Sequence, residues 1–233
     1  MAAIENRYSR NFETLTPEDQ DTLKQARVCI LGLGGLGGGV CEMLARIGVG
    51  HLTLVDGDVF DATNLNRQLL SREGLIGESK AKAARDRVAA VNSDVTVRWE
   101  HCFADPKTLP DLLKDCDLVV DCLDTIQARF DLEDAAKAAG IPLVSGAIAG
   151  VCGQVTVIYP EDTGFEAIYG ARDRERNRGI ETRTGNIAHC ANLVSSLQAS
   201  EAVKVLLNRG ETLRNRMLIL DLWTNAFEIV DLA

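Results

Sequence analysis

Apolar positions in this chain fall into short runs that alternate with longer stretches of helical spacing. Residues 5–26 are polar with helical periodicity. Within them Thr16-Pro17-Glu18-Asp19 predicts a helix start: Thr16 supplies a cap, Pro17 fits the first turn, and the acids sit near the positive end of the helix. Residues 27–31 (Arg-Val-Cys-Ile-Leu) are an apolar run of strand length that enters a glycine-rich stretch. Val40, Met43, Leu44 and Ile47 then recur on one helical face, and residues 52–55 form a second strand. Strand, glycine turn, helix and strand make one βαβ unit.

The alternation continues. Residues 79–91 read as a helix, 95–99 as a strand, 109–115 as a short helix and 118–121 as a buried strand. A helix over 126–139 stops at Gly140 with Pro142 beyond it, and 143–145 is another strand. Such alternation predicts an α/β fold with a doubly wound, mainly parallel sheet. The character changes after Gly146. Residues 154–159 alternate like a half-buried strand. Residues 161–184 are polar, carry Arg172, Arg174, Arg176, Arg178 and Arg183, and are expected to form a mobile loop. A long helix covers about 186–208, and 217–221 with 227–230 predict a terminal hairpin, an antiparallel C-terminal extension. No repeat or linker interrupts the chain, so one domain over 1–233 is expected.

Composition narrows the classes. The net charge of −9 opposes nonspecific binding to nucleic acid or a membrane surface. No run approaches the roughly 18 apolar residues of a membrane helix. Residues 1–7 carry acidic and polar side chains where a signal peptide would be apolar, which gives a cytoplasmic expectation. The seven cysteines include no Cys-x-x-Cys pair and read as reduced thiols, mostly in the core.

Three motifs carry chemistry. Gly32, Gly34, Gly35 and Gly37 lie between a strand and a helix, where a bare backbone can approach phosphate at a helix N-terminus. Asp56 ends the next strand, where a carboxylate can bind ribose hydroxyls. This is a Rossmann-like nucleotide site, with NAD, FAD and ATP all open. Asp58, Asn64, Arg67, Gln68 and Lys80 follow. A dehydrogenase has no evident need of Arg67 and Lys80, whereas a triphosphate does: they can neutralise β- and γ-phosphates, with Asn64 donating a hydrogen bond nearby. Finally, Asp124 follows the buried strand 118–121, where it could hold Mg²⁺ or cap the next helix.

Gly-Leu-Gly-Gly-Leu-Gly, Leu-Thr-Leu-Val-Asp-Gly-Asp, Asn-Leu-Asn-Arg-Gln and Gly-x-x-Lys, in this order, resemble the ThiF/MoeB/HesA family, relatives of the ubiquitin-activating enzymes. The likeness runs from Arg7-Tyr-Ser-Arg10 to Glu201-Ala-x-Lys204. It implies an ATP-dependent adenylyltransferase acting on the C-terminal carboxylate of a ubiquitin-like sulfur carrier protein with a Gly-Gly tail, in a thiamine- or molybdopterin-type pathway. It implies nucleotide contacts at Gly35, Asp56, Asn64, Arg67 and Lys80, magnesium and catalysis at Asp124, and a homodimer in which Arg10 reaches the neighbouring subunit's phosphates. Residues 1–150 would then be the nucleotide-binding part and 151–233 the carrier-binding part.

The sequence also departs from that pattern. The two Cys-x-x-Cys pairs that hold a structural zinc in many relatives are missing, so no zinc is expected. Residues 178–185 lack the cysteine found there in many relatives; Cys190 lies nearby, in the predicted helix. A separate sulfur donor protein is therefore the expected partner. Thr125 stands where relatives usually have Asn, with Arg129 kept. Competing readings are an enzyme like tRNA-threonylcarbamoyladenosine dehydratase, a catalytically silent ATP-binding partner subunit and, more distantly, an NAD oxidoreductase.

Overall fold

The computed structural model describes residues 7–172 and 184–232. One eight-stranded sheet organises them, in the order β3-β2-β1-β4-β5-β6-β7-β8. Its strands are β1 (Arg27–Leu31), β2 (His51–Val55), β3 (Thr96–Glu100), β4 (Leu118–Asp121), β5 (Leu143–Ala149), β6 (Cys152–Ile158), β7 (Arg216–Asp221) and β8 (Ala226–Asp231). The first five in spatial order pair in parallel, and β6, β7 and β8 add on antiparallel. The helices are α1 (Pro17–Gln25), α2 (Gly37–Ile47), α3 (Lys80–Val91), α4 (Leu109–Leu112), α5 (Ile126–Ala139), α6 (Phe165–Tyr169) and α7 (Ala188–Leu207).

Strand β1 explains the layering. Its side chains point alternately to the two faces of the sheet. Val28 and Ile30 join a core with Leu44 of α2, Ala84 of α3 and Val194 of α7. Cys29 and Leu31 join a second core with Leu112 of α4 and with Phe130 and Leu132 of α5. A parallel strand covered on both faces must be apolar throughout, as residues 28–31 are. The first core runs from Leu15 to Leu220, so residues before and after 150 share it.

Local signals set the boundaries. Thr16 and Asp19 close a reciprocal capping box at the start of α1. Gly140 ends α5 in the left-handed conformation. Strand β5 is longer than the expected 143–145, because its partner changes: residues 143–145 pair with β4, while 146–149 continue only against β6. The expected mobile loop over 161–184 is corrected in its first part. Phe165 of α6 is fully buried edge-on to Phe130, at 6.0 Å between centroids. Arg172 lies 4.8 Å above the Phe130 ring and pairs with Asp134. Arg174, Arg176, Arg178 and Arg183 lie outside the described residues.

Candidate active site

Strand order reverses at β1, whose successor β2 lies on one side and β4 on the other. The loops leaving the C-terminal ends of β1 and β4 therefore face each other across a crevice. They touch at Gly32, whose φ of +84° favours glycine and where a Cβ would lie 2.5 Å from the carbonyl oxygen of Cys122. A Cβ at Gly37 would lie 1.7 Å from the carbonyl oxygen of Gly32. Packing thus demands glycine at 32 and 37. At Gly34 and Gly35 it does not: the nearest atoms to an added Cβ are Gln68 Nε2 at 3.5 Å and Ala191 Cβ at 3.6 Å, both ordinary contacts. Bare backbone at 34 and 35 suits the close approach of a ligand. Leu36, the N-cap of α2, gives no side-chain hydrogen bond to that helix's first N–H groups.

Arg67 and Gln68 flank these two glycines. Arg67 Cγ lies 3.7 Å from the Cβ position at Gly35. Its guanidinium donates to Thr63 O at 3.0 Å and Asn66 Oδ1 at 2.9 Å. Gln68 is buried, and its Oε1 has no hydrogen-bond partner among the described residues. An orphaned buried acceptor beside a bare backbone loop is costly unless something completes it. Asn64 organises the turn: its Oδ1 accepts from Asp61 N–H at 3.1 Å and its carbonyl accepts from the N–H groups of Arg67 and Gln68.

Asp56 joins the β2 end to the glycine loop. Its Oδ2 accepts from Leu33 N–H at 2.7 Å and its Oδ1 from Asp58 N–H at 2.8 Å. Burial pushes its pKa up and outweighs those bonds. Lys80, the buried first residue of α3, donates to Asp58 Oδ2 at 2.9 Å. The structure therefore gathers Gly32, Gly34, Gly35, Gly37, Asp56, Asp58, Asn64, Arg67, Gln68 and Lys80 around the ends of β1 and β2.

Asp124 is exposed on the loop after β4. The cap of α5 is Thr125, whose Oγ accepts from Ala128 N–H at 3.3 Å, so the alternative capping role for Asp124 is overturned. Among the described residues no three His, Cys, Asp or Glu side chains are grouped to hold a metal ion. A single carboxylate supplemented by phosphate oxygens is nonetheless a usual Mg²⁺ arrangement.

Below Asp124 lies a network that the sequence reading missed. Asp121 is fully buried; its Oδ2 accepts from Ser145 Oγ at 2.6 Å and pairs with Arg129 Nη1 at 3.1 Å. The available signal was a carboxylate closing the apolar run 118–120, with an arginine on the helix that follows.

Arg10 is not brought to the crevice of its own chain. Tyr8 accepts from Asn92 Nδ2 at 2.7 Å and packs on Gly48, the C-cap of α2. Asn11 bonds Gln20, which bonds Ile47 O. Arg10 is exposed and lies in sequence between these tethers to the C-terminal end of α2, a helix about 16 Å long by its rise with Gly37 at its other end. Cys190 is a packed thiol: its Sγ lies 3.3 Å from Cys152 O, and burial pushes its pKa up to about 11.

Comparison with known proteins agrees with this geometry. The model of the ThiF family matches residues 8–233. The SAMP-activating enzyme E1 of Haloferax volcanii is 34% identical over 227 residues, covering 97% of this chain and 84% of the relative. The molybdopterin-synthase adenylyltransferase of Escherichia coli is 35% identical over 212 residues, covering 90% and 84%. Among solved structures, PaaA superposes with a TM-score of 0.81 at 26% identity, over 99% of this chain and 74% of that one. E. coli MccB with ATP gives 0.81 at 25%, over 98% and 72%. The chain belongs to the ThiF family.

Proposed function

We propose that this protein is an ATP-dependent adenylyltransferase that activates the C-terminal glycine carboxylate of a ubiquitin-like sulfur carrier protein, in a thiamine- or molybdopterin-type pathway. The observation that carries the reading is the bare backbone at Gly34 and Gly35, flanked by Arg67 and Gln68, where the strand order reverses. The names of the relatives, an activating enzyme and a molybdopterin-synthase adenylyltransferase, support it.

In this reading the glycine loop and the α2 N-terminus receive the phosphates. Asp56 accepts from the ribose hydroxyls. Arg67 and Lys80 offset phosphate charge, with Asp58 holding Lys80 in place and Asn64 and Gln68 fixing the turn beneath. A carboxylate oxygen of the carrier attacks the α-phosphorus, the bond to the bridging oxygen breaks, and pyrophosphate leaves with that electron pair. Mg²⁺, held by Asp124 with phosphate oxygens, would lower the charge on the leaving group. Arg10 acts in trans within a homodimer, a role supported by the tethering of its neighbours Tyr8 and Asn11 to the end of α2 opposite the glycine loop. Residues 1–233 work as one unit, and sulfur comes from a separate protein, since Cys190 is packed.

The test is ATP–pyrophosphate exchange with the purified protein, with and without a Gly-Gly-tailed carrier. Carrier-dependent exchange is expected. ATP binding without exchange for any carrier would refute the assignment.

A further inference from the structure

We infer that Arg129 is the positioning residue that fixes the Asp124 loop. The inference rests on the adenylation reading for its kinetic consequence, while its structural part stands on the hydrogen bonds themselves.

The two ends of one buried ion pair hold the two backbone groups of one residue. Asp121 Oδ1 accepts from Leu123 N–H at 2.9 Å, and Arg129 Nη2 donates to Leu123 O at 2.6 Å. Leu123 immediately precedes Asp124. On the other side of Asp124, Thr125 is fixed as the cap of α5, the helix that carries Arg129, and its carbonyl accepts from Arg129 N–H at 3.2 Å. Asp124 is thus an exposed carboxylate strung between two clamped residues.

The clamp is braced from two further elements. Arg129 also donates to Gly146 O at 3.0 Å and Ser145 Oγ at 3.2 Å on β5. Gln198 of α7 donates to Asp121 O at 2.8 Å. Its centre is buried: the Arg129 and Asp121 side chains are 6% and 0% exposed. Desolvating two charges costs so much that a well-packed apolar pair often serves stability as well. An apolar pair could not bind the N–H and C=O of Leu123. The planar fork of arginine meets Leu123 O, Gly146 O, Ser145 Oγ and Asp121 Oδ2 at fixed angles, which a lysine cannot match.

The experiment compares Arg129→Lys, which keeps the charge and loses the fork, with Val88→Ala, a destabilising core variant in α3 that lies away from the loop, each read at the same interval below its own measured Tm. Amide hydrogen exchange at residues 122–125 is expected to quicken at least tenfold in Arg129→Lys and to stay unchanged in Val88→Ala. In carrier-dependent ATP–pyrophosphate exchange, kcat should fall about 10- to 100-fold in Arg129→Lys, as misplacement of a reacting group does, with the KM for ATP within twofold. Should Arg129→Lys not fold, Ser145→Ala, which removes one brace and no charge, takes its place with the same expectations at the lower end. Unchanged hydrogen exchange at 122–125 would overturn the inference, as would equal kcat losses in the loop variant and Val88→Ala. If the wild-type protein catalyses no exchange, the adenylation reading fails, and hydrogen exchange at 122–125 still decides the clamp.

Discussion

The glycine loop gives a prediction that separates what the fold needs from what the ligand needs. An alanine at Gly32 must adopt a φ of +84° and place its Cβ 2.5 Å from the Cys122 carbonyl oxygen. The left-handed backbone costs about 1–2 kcal/mol. Forcing a methyl group against a carbonyl in a packed loop adds roughly 1–3 kcal/mol. Gly32→Ala should therefore lose about 2–5 kcal/mol of stability, which for a chain of this size lowers Tm on the order of 10 °C. Gly37→Ala, with its contact at 1.7 Å from the Gly32 carbonyl oxygen, should be at least as damaging.

Gly35→Ala should behave in the opposite way. The added Cβ meets nothing closer than 3.6 Å. The substitution even restricts the unfolded chain, a gain of roughly 0.4–1 kcal/mol where the backbone is compatible. Thermal unfolding should be unchanged or slightly raised. ATP affinity, measured by calorimetric titration, should fall about 10- to 100-fold, because the methyl group occupies the approach of a phosphate to the backbone and forfeits a charge-assisted hydrogen bond of about 1.5–3 kcal/mol. Wild-type ATP affinity in a folded Gly35→Ala protein would refute the placement of phosphates at this loop. Equal destabilisation by alanine at 32 and 35 would refute the division of labour itself.

Other expectations follow from the same site. Burial holds the Asp56 carboxyl above the ordinary value of 3.8, so the form that accepts ribose hydroxyls is lost as pH falls through that raised value. ATP affinity should show an acid limb with a midpoint above 3.8, and Asp56→Asn should bind weakly at every pH without that limb; a limb that survives in Asp56→Asn belongs to another group. Cys190→Ala should retain adenylation within about twofold and lose roughly 1 kcal/mol or less of stability, judged by exchange kinetics and thermal unfolding, as expected for a small packed thiol; a dead but folded variant would make the thiol reactive. Mixing inactive Arg10→Ala with inactive Asp124→Ala should restore up to about a quarter of the sites if Arg10 works across a two-fold dimer; no recovery would place its action elsewhere.

The elements themselves were legible because each carried a local cause. Residues 27–31, 118–121 and 126–139 were bounded correctly from apolar runs and the Gly140 stop. What pattern could not show was anything set by a neighbour. Strand β5 outlasts its predicted end because β6 supplies a partner after β4 stops. Phe165 lies in a polar stretch, and only its burial against Phe130 reveals order there.

The site divides along the same line. The glycines, Asp56, Arg67 and Lys80 stood out as candidates because residue type and spacing express what a nucleotide requires, and the structure brings them together at the ends of β1 and β2. The network joining Asp121, Arg129, Ser145 and Gln198 was not, although Arg129 had been noted as kept, because its members come from four different elements and meet only in the folded chain. Such groups are selected by geometry in three dimensions, so a one-dimensional pattern has no period or spacing by which to announce them. The division has a physical meaning. Residues that meet the ligand must have the right chemistry in the right order along the loops that leave the sheet. Residues that hold those loops need only the right shape, which any set of elements can supply. Asp124 stands at the junction: its identity was read from the strand end that it follows, but its freedom from capping duty depends on Thr125, and its fixed placement on an arginine five positions further along the helix.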